Sequence, residues 1–361
     1  MYIVKMPIKP AKLFIPGPVD VAPEILEAMT QPMMGHRAPE FSVLYKDVTD
    51  GIRRLMKTDN SVYLSTSSAT GLWEATVRNV APKRTLCCVN GAFSSRWHKT
   101  VIDNGFEADV LEVEWGKAIT ADLVSEAIKK NTYDLITFVH NETSTGVASP
   151  LKEVGEVLKK YPETVFAVDA VSSMMGMEIS IEDWGIDICL ASVQKCWALP
   201  PGFSICIVSK KVLNKSAETK NKGYYFDFME WEKSNLKNQT VVTPSIAHMY
   251  GLQAQIKRIE TEGLETRIDR YASLAEMTRN WVEEKGQSMF SEKGYYSDTV
   301  SCMINNQGWD LTKLSDDLFD RGFRFSNGYG KLKGTAFRIP HMGETNSETL
   351  SNYLYEIDLL T

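Results

Sequence analysis

The sequence of 361 residues is poor in the patterns that mark metal-binding and disulfide-stabilised proteins. Its five histidines are scattered, with no H-E-x-x-H motif or Cys/His cluster, so we expect no metal site. Its six cysteines include no C-x-x-C pair, and several lie in apolar, strand-like runs. This pattern is typical of a reduced cytoplasmic protein with buried thiols.

Long hydrophobic runs and a strong excess of one charge are also missing. The N-terminus, MYIVKMPIKPAKLFIPGP, contains no long apolar stretch and therefore predicts neither a signal peptide nor a membrane span. The net charge of −6 provides no basic face for nucleic acid and no polybasic patch for a membrane surface. We therefore expect a cytoplasmic protein whose partners are neither nucleic acids nor membranes.

Short apolar runs alternate with amphipathic stretches between about residues 60 and 210. The runs are 61–65, 85–89, 108–113, 134–139, 165–170, 187–192 and 203–209. Apolar runs with helices between them predict strands that are buried on both faces of a largely parallel α/β sheet. The segment 245–285 has a long helical pattern, and the shorter patterns after about residue 286 predict a smaller α+β domain.

Polar residues follow several of these runs, at the edge of the sheet where ligands bind in open α/β folds. After the first run, Ser67, Ser68 and Thr70 open a helix, and the amides of a helix N-terminus together with hydroxyl groups favour a phosphate. Taken alone, this group is better explained as a plain helix cap.

Each of four further runs leads to one residue of a different chemical type: an aromatic residue, a hydroxyl residue, an acid and a lysine. They are Phe93, Thr143, Asp169 and Lys195, and Gln194 precedes the lysine. Each has an ordinary structural explanation: a core aromatic, a turn residue, a paired interior acid and a loop lysine. Together they match the needs of pyridoxal phosphate, which requires a Schiff-base lysine, a carboxylate at its pyridine nitrogen and an anion site.

Short segments spread from about residue 14 to residue 343 resemble the class V aminotransferases of the fold type I pyridoxal-phosphate enzymes. These segments are FIPGPVDV, GHRAPEF, SSATGLWEA, NGAF, HNETSTGV, VDAVSS, SVQKCWALPPG, TPSIAHMYGL and FRIPHMG. The resemblance implies a large cofactor-binding domain over 14–260 with a mostly parallel seven-stranded sheet, and a small α+β domain over 261–361. It also implies a homodimer with its active site at the subunit interface, and residues 1–13 packed on the domains or on the partner.

The resemblance further implies a role for individual residues. Lys195 would carry the cofactor and act as the catalytic base, Asp169 would pair with the pyridine nitrogen, Phe93 would stack on the ring, and Thr143 would contact the ring hydroxyl. Arg338 matches the arginine that binds the substrate carboxylate. The implied phosphate contacts are Ser68, Ala69, Thr70 and Gln194, with Thr243 supplied by the neighbouring subunit. Ala69 replaces the glycine that is usual in this family.

The segments divide between two substrate classes. GHRAPEF and the N-E-T of HNETSTGV resemble the phosphoserine branch, in which a His-Arg pair, here His36 and Arg37, binds the substrate phosphate. FRIPHMG and STGV resemble the alanine/serine–glyoxylate branch. We predict transfer between phosphoserine and 2-oxoglutarate, as in serine biosynthesis, with serine or alanine and glyoxylate or pyruvate as the alternative. In a purely structural role, Arg37 would pair with a local acid such as Glu40.

Two other functions fit the sequence less well. A cysteine desulfurase needs a cysteine on a mobile loop before the carboxylate-binding arginine, and the stretch 321–335 has none. A non-catalytic protein on the same fold would be expected to lose Lys195, Asp169 or Arg338, and all three are present.

Overall fold

A computed structural model describes residues 10–361, and a sheet of seven strands forms its centre. Each of the seven apolar runs contributes one strand, so the predicted α/β sheet is confirmed. The strands are β1 (Ser61–Ser65), β2 (Arg84–Val89), β3 (Glu107–Glu112), β4 (Leu135–Val139), β5 (Val165–Asp169), β6 (Ile188–Ser192) and β7 (Ser204–Val208).

The order across the sheet is β1-β7-β6-β5-β4-β2-β3, and only β7 runs against the others. All the remaining neighbours pair in parallel, so the carboxyl ends of six strands lie at one edge. The polar residues named above follow the strands at this edge. A ligand site is therefore expected there.

The strands are buried on both faces because alternate side chains enter two different hydrophobic clusters. In β5, Phe166 and Val168 pack in the larger cluster, whereas Val165 and Ala167 pack in the cluster on the opposite face. This alternation explains why the strands read as continuous apolar runs rather than as alternating patterns.

Twelve α-helices surround and extend the sheet in the part of the chain that the structure describes. They are α1 (Pro23–Ala28), α2 (Pro39–Met56), α3 (Ala69–Val80), α4 (Ala92–Asp103), α5 (Ala121–Ile128), α6 (Leu151–Leu158), α7 (Lys210–Glu218), α8 (Phe228–Asn235), α9 (Ile246–Glu262), α10 (Leu264–Glu284), α11 (Leu311–Asp320) and α12 (Ser347–Asp358). Between residues 10 and 361, no helix is both long and apolar enough to cross a bilayer.

The long helical segment predicted over 245–285 is two helices rather than one. Gly263 lies between α9 and α10 with φ 83°, a left-handed conformation that ends the first helix and that glycine adopts without strain. The helical periodicity continues on both sides of this glycine, and for that reason the sequence pattern did not reveal the break.

A second, antiparallel sheet follows α10, in the order β8-β9-β11-β10. Its strands are β8 (Ser288–Met289), β9 (Val300–Ile304), β10 (Ser326–Asn327) and β11 (Ala336–Pro340). Near the N-terminus, Lys12–Leu13 pair in parallel with Phe323–Arg324, whereas residues 1–9 of the predicted packing segment lie outside the described residues. We propose that the two sheets belong to separate domains with their boundary near residue 260, in the last turn of α9.

Candidate active site

A cavity of about 200 Å³ lies at the carboxyl edge of the large sheet. Side chains from the ends of β4, β5 and β6 and from the starts of α3 and α4 surround it. Eight of the predicted site residues line this single cavity: Ser68, Ala69, Thr70, Phe93, Thr143, Asp169, Gln194 and Lys195. The folded chain therefore brings together residues that are up to 127 positions apart, from Ser68 to Lys195.

Lys195 is buried at the base of the cavity, where its Nζ donates to Ser172 Oγ at 3.5 Å and lies 5.8 Å from the centre of the Phe93 ring. Burial, together with the nearby Arg338 cation, lowers the pKa of Lys195 to about 8, and Asp169 opposes the change. A larger fraction of the amine is therefore neutral at physiological pH than for an ordinary lysine. A neutral amine is the form that attacks a carbonyl carbon.

The N-terminal segment FIPGPVDV crosses directly over this lysine. Val19 N donates to Gln194 O at 3.1 Å. Gly17 has φ 134°, and a Cβ atom added there would lie 2.9 Å from Lys195 Cε. Any other residue would be strained by this backbone conformation, and its Cβ would force the lysine side chain to move.

Asp169 is the last residue of β5, and its carboxylate is held from two sides. Its Oδ2 accepts from Trp73 Nε1 and its Oδ1 accepts from Val171 N, each at 2.8 Å. Burial raises the pKa of Asp169 to about 6, although both hydrogen bonds and the Lys195 charge favour the ionised form. No basic side chain of residues 10–361 forms an ion pair with it, so a cationic ligand group would find an unpaired carboxylate here.

Three residues at the start of α3 are predicted to bind phosphate, and some of their hydrogen-bonding groups are already occupied within the protein. Ser68 is the N-cap residue of α3, yet its hydroxyl makes no cap hydrogen bond, which argues against the plain helix-cap explanation. Thr70 is exposed at the cavity. The Ala69 amide, by contrast, already donates to Ser192 Oγ at 2.9 Å. The two hydroxyls, rather than the Ala69 amide, are free to contact an anion.

Phe93 lies in the first turn of α4, and a fully buried acid holds that turn in place. Glu142 accepts from the amides of Phe93 and Ser94, at 3.1 and 2.9 Å, and from the hydroxyl of Ser144 at 2.6 Å. The positive end of the helix dipole stabilises its charge. A Cβ at Gly91 would lie 2.3 Å from Glu142 Cγ, which explains the glycine of NGAF. The glutamate of the N-E-T segment therefore positions Phe93, a role that the sequence did not indicate.

Arg338 lies on β11 beside the cavity, next to Thr143, although it is not one of the residues that line the cavity. Its Nη1 donates to Thr143 O at 3.3 Å, and its Nε and Nη2 donate to Asn327 O at 3.3 and 3.2 Å. Arg338 is 8% exposed, and burial lowers its pKa from the usual arginine value. Its hydrogen bonds are long and reach only neutral carbonyl groups. A carboxylate would be a stronger acceptor.

His36, Arg37 and Thr243 do not line this cavity. Arg37 is exposed, and it donates to Thr240 O at 2.5 Å and to Val241 O at 2.9 Å. It therefore holds the segment that leads to Thr243. Neither of the two roles considered for Arg37, a phosphate ligand in its own chain's cavity or a partner of Glu40, is what the structure describes.

Several residues of the cavity were missed in the sequence. Trp73, Arg96, Asn141, Ser172 and Ser192 all line it. Trp73 carried a usable signal, because it lies one turn after Ala69 on the face of α3 that returns to the sheet. Tyr329 carried none: its ring stacks on Phe93 with 5.3 Å between centres, across 236 residues of sequence.

Comparison with known proteins gives a consistent result. The family model described as "Aminotransferase class-V" matches residues 24–315. An uncharacterized aminotransferase of Methanocaldococcus jannaschii is 35% identical, over 92% of this chain and 87% of its own. L-aspartate–glyoxylate aminotransferase of Paracoccus denitrificans is 31% identical over 94% and 88% of the two chains. Serine–glyoxylate aminotransferase of Arabidopsis thaliana is 30% identical over 96% and 89%.

Solved aminotransferase structures have the same fold as this chain. Ureidoglycine–glyoxylate aminotransferase of Bacillus subtilis superposes with a TM-score of 0.91 at 26% identity, covering 97% of this chain and 92% of that chain. A phosphoserine aminotransferase of Cytophaga hutchinsonii superposes with a TM-score of 0.87 at 25% identity, covering 98% and 99%.

Proposed function

Because this chain belongs to the class V aminotransferase family and is an aminotransferase, we propose that it uses pyridoxal phosphate to transfer the amino group of an amino acid to glyoxylate. The choice of acceptor rests on the names of two relatives that match this chain over most of their length. One relative is named for aspartate and another for serine, but both are named for glyoxylate. The donor is therefore less determined than the acceptor.

The residues of the cavity fit pyridoxal phosphate. Lys195 offers a buried amine with a lowered pKa, and Asp169 offers a carboxylate without an ion pair for the pyridine nitrogen. Ser68, Thr70 and Gln194 offer polar groups for the phosphate, and Phe93 offers a ring face. When bound, the cofactor would supply an electron sink for negative charge at the substrate Cα.

Three side chains of this protein would then have separate roles in the reaction. Lys195 Nζ would hold the cofactor and, once released from it, would move the proton away from the substrate Cα as a general base. Arg338 would bind the substrate α-carboxylate and orient the Cα–H bond toward that amine. Asp169 would keep its negative charge opposite the protonated ring nitrogen.

We also propose a homodimer in which the segment around Thr243 completes the neighbouring subunit's site. In support, Thr243 lies outside the cavity of its own chain, and Arg37 fixes the backbone just before it. The hydrogen bonds of Arg37 to carbonyl groups explain the GHR segment without a substrate phosphate. Likewise, the contacts of Glu142 with α4 explain the N-E-T segment. The two features that favoured phosphoserine in the sequence thus have structural explanations.

A panel of donors and acceptors tests this proposal. Alanine, serine, aspartate and phosphoserine are each assayed with glyoxylate, pyruvate and 2-oxoglutarate, and the amino acid product is identified. We expect glycine formation from glyoxylate to be the fastest reaction. If phosphoserine with 2-oxoglutarate is faster than every pair that contains glyoxylate, the phosphoserine prediction is right and the present proposal is wrong.

A further inference from the structure

Arg96 is a second arginine at the cavity and has no acidic partner. It lies on α4, lines the cavity and is exposed at its opening. Its Nη2 donates to the Tyr329 hydroxyl at 2.7 Å, and its Cζ lies 5.3 Å from the centre of the Phe93 ring. In the described part of the chain its other N–H groups have no acceptor and no carboxylate lies within ion-pair distance, whereas Lys99, one turn further along α4, is paired with Asp103 at 2.6 Å. A guanidinium has five N–H donors, so most of its binding capacity is unused.

Tyr329 connects this arginine with Arg338. The Tyr329 ring stacks on Phe93, its hydroxyl accepts from Arg96, and Arg338 Cζ lies 5.5 Å from its ring centre. One tyrosine side chain therefore contacts both guanidinium groups. Neither has a carboxylate partner among residues 10–361, although guanidinium–carboxylate pairs are the strongest hydrogen-bonded pairs available to arginine.

We propose that Arg96 binds the side-chain carboxylate of an acidic amino donor such as aspartate, while Arg338 binds its α-carboxylate. The inference rests on the proposed function in one respect, because it uses Arg338 as the α-carboxylate site. It adds the donor class, which the shared acceptor leaves open.

The charge of the cavity supports an acidic donor. In the proposed function Lys195 and Asp169 serve the cofactor, which leaves Arg96 on the wall of the cavity and Arg338 beside it without anionic partners. A donor with two carboxylates supplies one to each arginine, whereas a neutral donor supplies only one. Asparagine has nearly the same shape as aspartate but lacks the second charge, so the pair isolates the contribution of Arg96.

The first experiment measures the half-reaction of the cofactor-loaded protein with donor alone, from the change in cofactor absorbance. We expect wild type to react with aspartate about tenfold or more faster than with asparagine at low donor concentration. Arg96→Gln should lose this preference, because its rate with aspartate should fall much more than its rates with asparagine and serine. Lys99→Gln removes an equal charge from the same helix away from the cavity, and it should keep the preference.

Three outcomes would overturn the inference: a wild type with no preference for aspartate over asparagine, an equal loss with aspartate and serine in Arg96→Gln, or the same loss in Lys99→Gln. The first leaves no acidic-donor selectivity, the second makes Arg96 structural, and the third assigns the effect to the overall field of α4.

The second experiment needs no turnover. Binding of succinate and of butyrate, a dicarboxylate and a monocarboxylate that cannot react, is measured by calorimetry. We expect succinate to bind more tightly than butyrate in wild type and to lose about tenfold in affinity in Arg96→Gln. Equal binding of the two acids in wild type would contradict the inference. Failure of the proposed function has a different signature, because an absence of glyoxylate-dependent turnover leaves the half-reaction and succinate binding measurable.

Discussion

Trp73 donates its indole N–H to Asp169 at 2.8 Å, and this contact joins helix α3 to the end of strand β5 that carries the acid. The second carboxylate oxygen accepts from Val171 N. Burial nevertheless raises the pKa of Asp169 to about 6. The two hydrogen bonds therefore offset only part of the cost of burying the Asp169 charge.

The change Asp169→Asn should make the stability of the cofactor-free protein less dependent on pH. An acid whose pKa is about 6 in the fold and about 4 in the unfolded chain destabilises the fold progressively as pH rises from 4 to 6, and uniformly above. The asparagine loses one of the two hydrogen bonds at every pH. The test is therefore whether the difference in free energy of unfolding between variant and wild type changes with pH. Chemical unfolding at pH 4 and at pH 8 measures it. A difference that stays constant between the two would contradict the raised pKa.

Asp169→Asn should also reduce transamination strongly, because the charge opposite the ring nitrogen is lost. Turnover is measured under saturating cofactor, with cofactor content determined separately. Near-normal turnover would mean that Asp169 does not support the electron sink.

Trp73→Phe removes the hydrogen bond and keeps an aromatic ring in its place. Because this hydrogen bond favours the ionised form of Asp169, its loss should raise the pKa of Asp169 further. We expect the acidic limb of the pH–rate profile to move to higher pH, with a fall in activity of about tenfold near neutrality. A profile of unchanged shape with uniformly lower activity would indicate a packing effect alone.

Gly17→Ala should reduce cofactor incorporation at Lys195 beyond what its loss of stability explains. The added Cβ meets Lys195 Cε at 2.9 Å, and the φ of 134° strains the new residue. Gly294→Ala is the matched control, because Gly294 also has a left-handed φ, 94°, but nothing within 4 Å of an added Cβ. We expect similar losses of thermal stability in the two variants and reduced cofactor incorporation only in Gly17→Ala. Full incorporation in that variant would contradict the assigned contact.

The donor selectivity of Arg37→Ala distinguishes the two substrate classes, and Arg338→Ala serves as its comparison. Because Arg37 holds the backbone at Thr240 and Val241, its loss should weaken all donors to a similar extent. Arg338→Ala should also weaken all donors, since every amino acid has an α-carboxylate, but it should leave cofactor affinity unchanged. A selective loss of phosphoserine in Arg37→Ala, measured as kcat/KM across donors, would restore the phosphoserine prediction.

Local patterns in the sequence predicted the large sheet well, for a physical reason. Strands that are buried on both faces must be apolar throughout, and polar residues at their carboxyl ends must serve a ligand or a turn. The runs 61–65 and 165–170 therefore identified both the strands and, through Asp169, the site. The reversed direction of β7 left no trace, because a buried strand has the same composition in either direction.

The remainder of the site depends on contacts between distant segments. Arg96 and Tyr329 are 233 residues apart, and nothing in NGAFSSRW or SNGYGK indicates that they meet. Glu142 resembled part of a substrate motif, although its oxygens are occupied by the amides of α4. Such roles follow from tertiary packing, which a local sequence pattern does not encode.

The attachment of the cofactor to Lys195 is the claim on which the whole account depends. The measurement is borohydride reduction of the cofactor-loaded protein followed by peptide mapping, with Lys195→Ala as the control. We expect the label on Lys195 alone, and we expect none in the control, which should still bind cofactor through its phosphate contacts. A label on any other lysine, or an equal label in Lys195→Ala, would contradict it.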